Sequence, residues 1–175
     1  MGRADFNGVT LADIRRAQQR IFPFVRRTPL VRNSTLSHRF GSNLYLKLEV
    51  SQRTGAFKVR GAFNKILCLS QEERHRGVVA VSGGNHAQAV AYAAGTLGTK
   101  ALVLMPEITP RNYVDATREY GAEVVLTRRM AEAFDKVHAY EEKGWVFVHP
   151  FEDSMVIAGQ GTIGLEILED APQAM

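Results

Sequence analysis

Two short stretches hold residues whose types and spacing could do chemistry. The first is Thr54-Gly55-Ala56-Phe57-Lys58-Val59-Arg60-Gly61-Ala62, in which a lysine follows a flexible Thr-Gly pair and an aromatic ring where a helix begins. An amine becomes a useful nucleophile and base when burial or nearby cations lower its pKa. Most lysines are solvated surface charges, so the local pattern alone does not set Lys58 apart. The second stretch is Ser82-Gly83-Gly84-Asn85-His86-Ala87-Gln88, at the exit of a strand and the entrance of a helix. Its glycines let the backbone come close to a ligand. The helix entrance offers free N–H groups and the positive end of the dipole, which suit an anion. Asn85 adds an amide that can hydrogen-bond an oxygen. The same residues also fit a plain strand-to-helix turn with a capping Asn.

The elements around these stretches follow from hydrophobic period and punctuation. Residues 10–22 read as an amphipathic helix with a capping-box start at Thr10 and Asp13 and a stop at Pro23. Residues 27–31 are extended, because the residue before Pro29 avoids the helical region. A short helix over 34–40 ends at Gly41. Leu44, Leu46 and Leu48 alternate with Tyr45, Lys47 and Glu49, the period of a strand. Behind Lys58, Ala62, Phe63, Ile66 and Leu67 make a helical stripe. From Gly77 the rhythm becomes regular, with strands expected at 78–82, 101–105, 122–126 and 145–148 and helices at 85–97, 110–120 and 130–143. A last helix is expected from about 161 to 169. This alternation predicts an α/β fold, a parallel sheet with covering helices.

Together the two stretches resemble the pyridoxal-phosphate enzymes of fold type II, most closely the serine/threonine dehydratase (threonine ammonia-lyase) and serine racemase family. The likeness runs along the chain in order, through Thr28-Pro29-Leu30, Leu46-Lys47-Leu48-Glu49, Gln52-Arg53-Thr54-Gly55, Tyr120-Gly121-Ala122-Glu123, His149-Pro150-Phe151 and Val156-Ile157-Ala158-Gly159-Gln160-Gly161-Thr162. The resemblance implies pyridoxal 5'-phosphate as cofactor. It casts Lys58 as the lysine that bonds the cofactor covalently and acts as catalytic base, and Phe57 as the ring packed on the pyridine. It gives Ser82, Gly84, Asn85 and His86 to the loop that receives the substrate carboxylate, with Asn85 also at the cofactor's ring hydroxyl. The implied reaction is β-elimination of a small hydroxy amino acid to a 2-oxo acid and ammonia.

Several residues depart from the family pattern. Ala56 replaces the usual serine before the Phe-Lys pair, and Val50-Ser51 replaces a common Asn-Leu. Gly83 stands where the racemases carry a second serine, so the sequence reads as a dehydratase. The resemblance covers the N-terminal half of such an enzyme only. The phosphate-cradling glycine loop is expected shortly beyond Ala171-Pro172, and the pyridine-nitrogen partner and the divalent-metal ligands later. In this reading residues 71–144 form a small α/β domain, and residues 1–70 plus 145–175 form part of a large cofactor-binding domain. The alternatives are a non-catalytic fragment or subunit that needs a second chain, and a serine racemase or a dehydratase of another 3-hydroxy amino acid.

One further pattern, Gly159-Gln160-Gly161-Thr162-Ile163-Gly164, fits a dinucleotide fingerprint. That fingerprint should leave a strand directly and precede an acid by about twenty residues; here residues 149–155 separate it from the nearest expected strand, and the acid's position lies beyond residue 175. A helix start packed on the core explains these glycines.

Composition excludes other classes. The net charge of +4 is small and dispersed, which argues against a nucleic-acid partner. The histidines His38, His75, His86, His138 and His149 show no ligand spacing, so no metal site is expected. His149 reads as a satisfied core histidine. The single Cys68 suits a reducing compartment and reads as a buried small hydrophobe. No long apolar run spans a membrane, and Arg3, Asp5, Asp13 and Arg15-Arg16 argue against a signal peptide. A cytoplasmic enzyme is expected, homo-oligomeric in its complete form.

Overall fold

The computed structural model describes residues 8–172, so Arg3 and Asp5, on which the leader argument partly rests, lie outside the described residues. The first helix, α1 (Leu11–Ile21), is held at its start by the expected reciprocal cap between Thr10 and Asp13. Strands β1 (Leu30–Arg32) and β2 (Tyr45–Lys47) pair antiparallel, with α2 (Ser34–Phe40) between them. A single 3-10 turn (Glu49–Ser51) then leads to α3 (Lys58–Leu67). A short helix absent from the expected elements, α4 (Gln71–Arg76), is capped by Ser70 and Glu73, and this Ser-x-x-Glu signal is legible in the sequence.

The parallel sheet comprises β3 (Val78–Val81), β4 (Ala101–Pro106), β5 (Glu123–Thr127) and β6 (Val146–Phe147). Its order is β5-β4-β3-β6. The crossovers are α5 (Asn85–Thr96), α6 (Arg111–Glu119) and α7 (Met130–Glu141). Each strand and crossover helix lies within a few residues of its expected place.

Both faces of the sheet are covered, which is why β3 and β4 are unbroken apolar runs. Val78, Ala80, Val103 and Met105 face the core shared with α3 and α5. Val79, Val81, Leu102 and Leu104 face Ala133 and Val137 of α7.

The last helix, α8 (Ser154–Asp170), begins seven residues before the expected 161, capped by Asp153. The Gly-x-Gly-x-x-Gly pattern therefore lies inside a helix, not at a strand-to-helix turn. Two of its glycines serve packing: a Cβ on Gly159 would stand 2.6 Å from the Arg60 carbonyl and 2.7 Å from the Gly61 Cα of α3, and one on Gly161 would stand 2.8 Å from the Ile14 side chain. Cys68, expected to be buried, is exposed at the end of α3. The apolar stripe of α3 faces the other way, so an apolar neighbourhood in sequence did not translate into burial.

A charged cluster ties the β1–β2 ribbon to α3 and α8. Arg60, fully buried, meets Glu166 at 2.7 Å and Glu49 at 2.8 Å. Lys47 meets the same Glu166 at 2.7 Å and donates to the Thr28 carbonyl at 2.6 Å. Thr28 donates its hydroxyl to Glu49 at 2.6 Å. Two cations thus balance two carboxylates, and further hydrogen bonds occupy them, which lets charge persist away from water.

Candidate active site

Lys58 is the first residue of α3, so its side chain leaves the open end of a helix whose other face is sunk in the core. The first turn is clamped from α8. The Gln160 side-chain oxygen accepts from the Gly61 N–H at 3.2 Å, and its amide nitrogen donates to the Lys58 carbonyl at 3.4 Å. The Lys58 ammonium donates to the carbonyl of Pro150 at 2.8 Å. Its nitrogen stands 5.2 Å from the centre of the half-exposed Phe57 ring. Partial burial lowers the Lys58 pKa below the ordinary lysine value, because desolvation disfavours the ammonium.

The second stretch lies where expected, between β3 and α5. Gly84 is the cap residue of α5 and no side chain caps the helix, so its first-turn N–H groups have no side-chain partner among the described residues. The Ser82 hydroxyl accepts from the Gly84 N–H at 3.2 Å, and Asn85 is exposed. A Cβ on Gly84 would meet nothing within 4 Å, so the backbone there is open to a ligand. Gly83 differs: its Cβ would stand 2.7 Å from the Thr109 hydroxyl oxygen.

His86 turns the other way. Its ring is buried, and its Nε2 lies 2.9 Å from the Val148 carbonyl. A carbonyl only accepts, so Nε2 carries the proton and Nδ1 is a bare acceptor with no partner among the described residues. Burial first, then the nearby charges of Lys58 and His149, push the His86 pKa down to about 4, against the hydrogen bond to Val148. The unfolded chain therefore takes up this proton more readily than the folded one. Stability is full above about pH 6.5 and falls as pH drops through about 4, by roughly 3 kcal/mol from this group. Urea unfolding at pH 7 and pH 4 checks this: the loss should be smaller in His86→Gln, and an equal loss in both proteins contradicts it.

The sheet order explains why these groups converge. The chain runs outward from β3 through β4 to β5, then returns to place β6 on the other side of β3. Beyond the carboxyl ends of β3 and β6 the chain diverges, and such a switch point leaves a crevice. Ser82, Gly83 and Gly84 leave from β3, and residues 148–150 leave from β6. Residues 148–150 connect both halves of the site: Val148 receives His86 and Pro150 receives Lys58.

A cavity of about 530 Å³ opens beside the lysine, lined by Phe57, Lys58, Pro150, Phe151 and Gln160 among others. Ser82, Gly84 and Asn85 do not line it. The volume lies in the range of small-molecule sites. A half-buried amine of lowered pKa and an adjoining aromatic ring fit the aldehyde and ring ends of pyridoxal phosphate, and the uncapped helix entrance suits a carboxylate. Gln160 and Pro150 carry no sequence signal as neighbours of Lys58, because the contacts join residues 102 and 92 positions apart. His149 is a satisfied histidine, its Nδ1 accepting from the N–H groups of Phe151 at 3.3 Å and Glu152 at 2.9 Å. Among the described residues no cluster of metal-ligating side chains occurs, and no helix is long and apolar enough to cross a membrane.

Comparison with known proteins bears on this site. L-threonine ammonia-lyase of Thermotoga maritima is 52% identical over 166 residues, covering 94% of this chain and 41% of that protein. The catabolic L-threonine dehydratase of Staphylococcus aureus is 47% identical, covering 93% and 48%. Among solved structures, maize serine racemase superposes with a TM-score of 0.90 at 39% identity, covering 94% of this chain and 51% of that one. Isoform 2 of threonine deaminase from Solanum lycopersicum gives 0.82 at 38% identity, covering 93% and 50%. The chain thus spans about half the length of these relatives, or less. Residues 21–175 match the family described as "Pyridoxal-phosphate dependent enzyme". On that match, and with the lysine and the open helix entrance at one switch point, the chain belongs to the pyridoxal-phosphate dependent enzymes.

Proposed function

We propose that this chain supplies the lysine and the anion-binding loop of an ammonia-lyase that converts L-threonine or L-serine to a 2-oxo acid and ammonia. The observation that carries the reading is the joining of two groups through one segment. The Lys58 amine rests on the Pro150 carbonyl, and the uncapped entrance of α5 is tied through His86 to Val148. The names of the relatives at 52% and 47% identity support the same reaction.

Pyridoxal phosphate, when bound, supplies an electron-poor ring that stabilises negative charge at the substrate's α-carbon. Lys58 is the residue to hold it, with Phe57 against the ring and Asn85 at its hydroxyl. The free N–H groups after Gly84, with Ser82, orient the substrate carboxylate. Lys58 takes the α-proton at its Nζ, and the lowered pKa keeps more of the amine neutral for that step. Its ammonium form already has an acceptor in the Pro150 carbonyl. Closure of the crevice over the substrate excludes water.

Gly83 favours elimination over racemisation. Racemisation needs a second base on the opposite face, and a side chain at position 83 would crowd Thr109. In the proposed arrangement residues 71–144 form the small domain, with β6 reaching across to β3. Residues 1–70 and 145–175 contribute to a second domain. A cytoplasmic, homo-oligomeric complete enzyme belongs to the same proposal. A second reading, a piece that is silent until another chain completes it, draws on the 41% to 48% coverage and on the exposure of Asn85 and Phe57.

The test joins this chain to the C-terminal portion of the Thermotoga maritima relative and assays L-threonine and L-serine. Release of 2-oxo acid and ammonia, without D-serine, is the expected result. D-serine without oxo acid, or a folded cofactor-bound chimera that releases none, overturns the proposal. Turnover by the unjoined chain would sink the second reading.

A further inference from the structure

We infer that His86 is a positioning residue for Lys58, acting through the carbonyl of Val148 and the segment of residues 148–150. The inference rests on the reading of Lys58 as the working amine.

The argument starts from what holds that segment. Val148 is fully buried and donates its N–H to the Val79 carbonyl at 2.9 Å, which ends the β3–β6 pairing. Among the described residues its own carbonyl receives only the His86 ring, at 2.9 Å. The next two residues bring no further backbone donor bond among the described residues: His149 makes none, and Pro150 has no N–H. The chain is next fastened at Phe151 and Glu152, whose N–H groups turn back to the His149 ring. Between these fixings lies the Pro150 carbonyl, the acceptor of the Lys58 amine.

Among the described residues the carbonyl of the peptide after Val148 is thus held by one side-chain donor, while the His149 ring packs on Phe147 and Phe151. That donor comes from the first turn of α5, the element proposed to orient the substrate carboxylate. His86 thus connects the anion loop to the seat of the lysine. The bare Nδ1 fits this role: the ring spends its one proton on Val148 and takes no second partner among the described residues. By its place in the sequence His86 was expected at the substrate. Its ring is turned to the protein's own backbone at Val148.

The test uses Gln and Met at position 86. Both have similar reach, but only Gln can donate to the Val148 carbonyl. Lysines of the 175-residue chain are acylated with trace acetic anhydride, and each site's rate is read by peptide mass spectrometry against exposed Lys100 and Lys143. In His86→Met, Lys58 should label about threefold to tenfold faster than in the unaltered chain, the factor corresponding to one net hydrogen bond. In His86→Gln it should stay within about twofold of the unaltered rate, because the donor to Val148 is kept. Buried Lys47, paired with Glu166, reports folding and should not change in either variant. Unchanged Lys58 labelling in a folded Met variant overturns the inference. So does release of Lys58 in a folded Gln variant, and this holds even if the Met variant fails to fold. Failure of the functional reading looks different: the unaltered chain completed as above would carry no cofactor adduct at Lys58, whatever residue 86 is.

Discussion

Lys58→Ala should leave the completed enzyme without a borohydride-stable pyridoxyl adduct on this lysine and lower turnover by about a thousandfold or more, beyond what one acid–base group usually contributes. The expectation follows from placement. Lys58 combines partial burial, a lowered pKa and a cavity of about 530 Å³ beside its amine. Lys47 and Lys65, the other lysines with little exposure, are committed to the carboxylates of Glu166 at 2.7 Å and Asp153 at 2.6 Å. The measurement is a cofactor titration followed by reduction and peptide mapping. An adduct spread over surface lysines in the unaltered protein, or turnover that survives in Lys58→Ala, would remove this lysine from the mechanism. Lys58→Arg should be as inactive as the alanine variant, since a guanidinium keeps its charge but cannot give up its proton.

Arg60→Met should cause the largest loss of stability, about 3–5 kcal/mol, because it leaves buried carboxylates without their main cation. Arg60 donates to both oxygens of Glu49 and both of Glu166, and Lys47 alone would remain beside Glu166. For a chain of this size the expected fall in thermal midpoint is on the order of 10 °C. The effect should reach Lys58 as well, since Arg60 lies two residues along α3 from it. A loss below about 1 kcal/mol, measured by urea unfolding, would mean that water or another cation reaches the two carboxylates. Replacing Arg60, Lys47, Glu49 and Glu166 together by apolar residues of similar volume should restore much of the loss, because neither a carboxylate nor the Lys47 ammonium then lies stranded.

The sequence by itself determined most of the local structure and singled out the two stretches from which the candidate site is built. Period and punctuation place most of the helices and strands, because the cap at Thr10 and Asp13, the apolar runs of β3 and β4 and the turn glycines are near-neighbour effects. The lysine after Phe57 and the loop before Asn85 were legible for the same reason. The start of α8 is not legible in the sequence, because its first turns carry mixed apolar and small residues with no single stripe. The exposure of Cys68 is not legible either, because a short apolar run does not say which side of a helix end faces the core.

What only the tertiary structure decided are the pairings between distant segments. Gly159 is expected to pack on the core, but its partner is fixed only where α8 lies against α3 and the missing side chain admits the Arg60 backbone. Arg60, Glu49 and Glu166 are ordinary surface types in the sequence. Their burial follows from three elements closing on one another. His86 belongs to a ligand loop by its place in the chain, yet its ring faces Val148, 62 positions away. The seat of Lys58 on Pro150, 92 positions away, is of the same kind. Such contacts arise because β6 returns to the far side of β3, and strand order is a property of the packed sheet that no local spacing encodes.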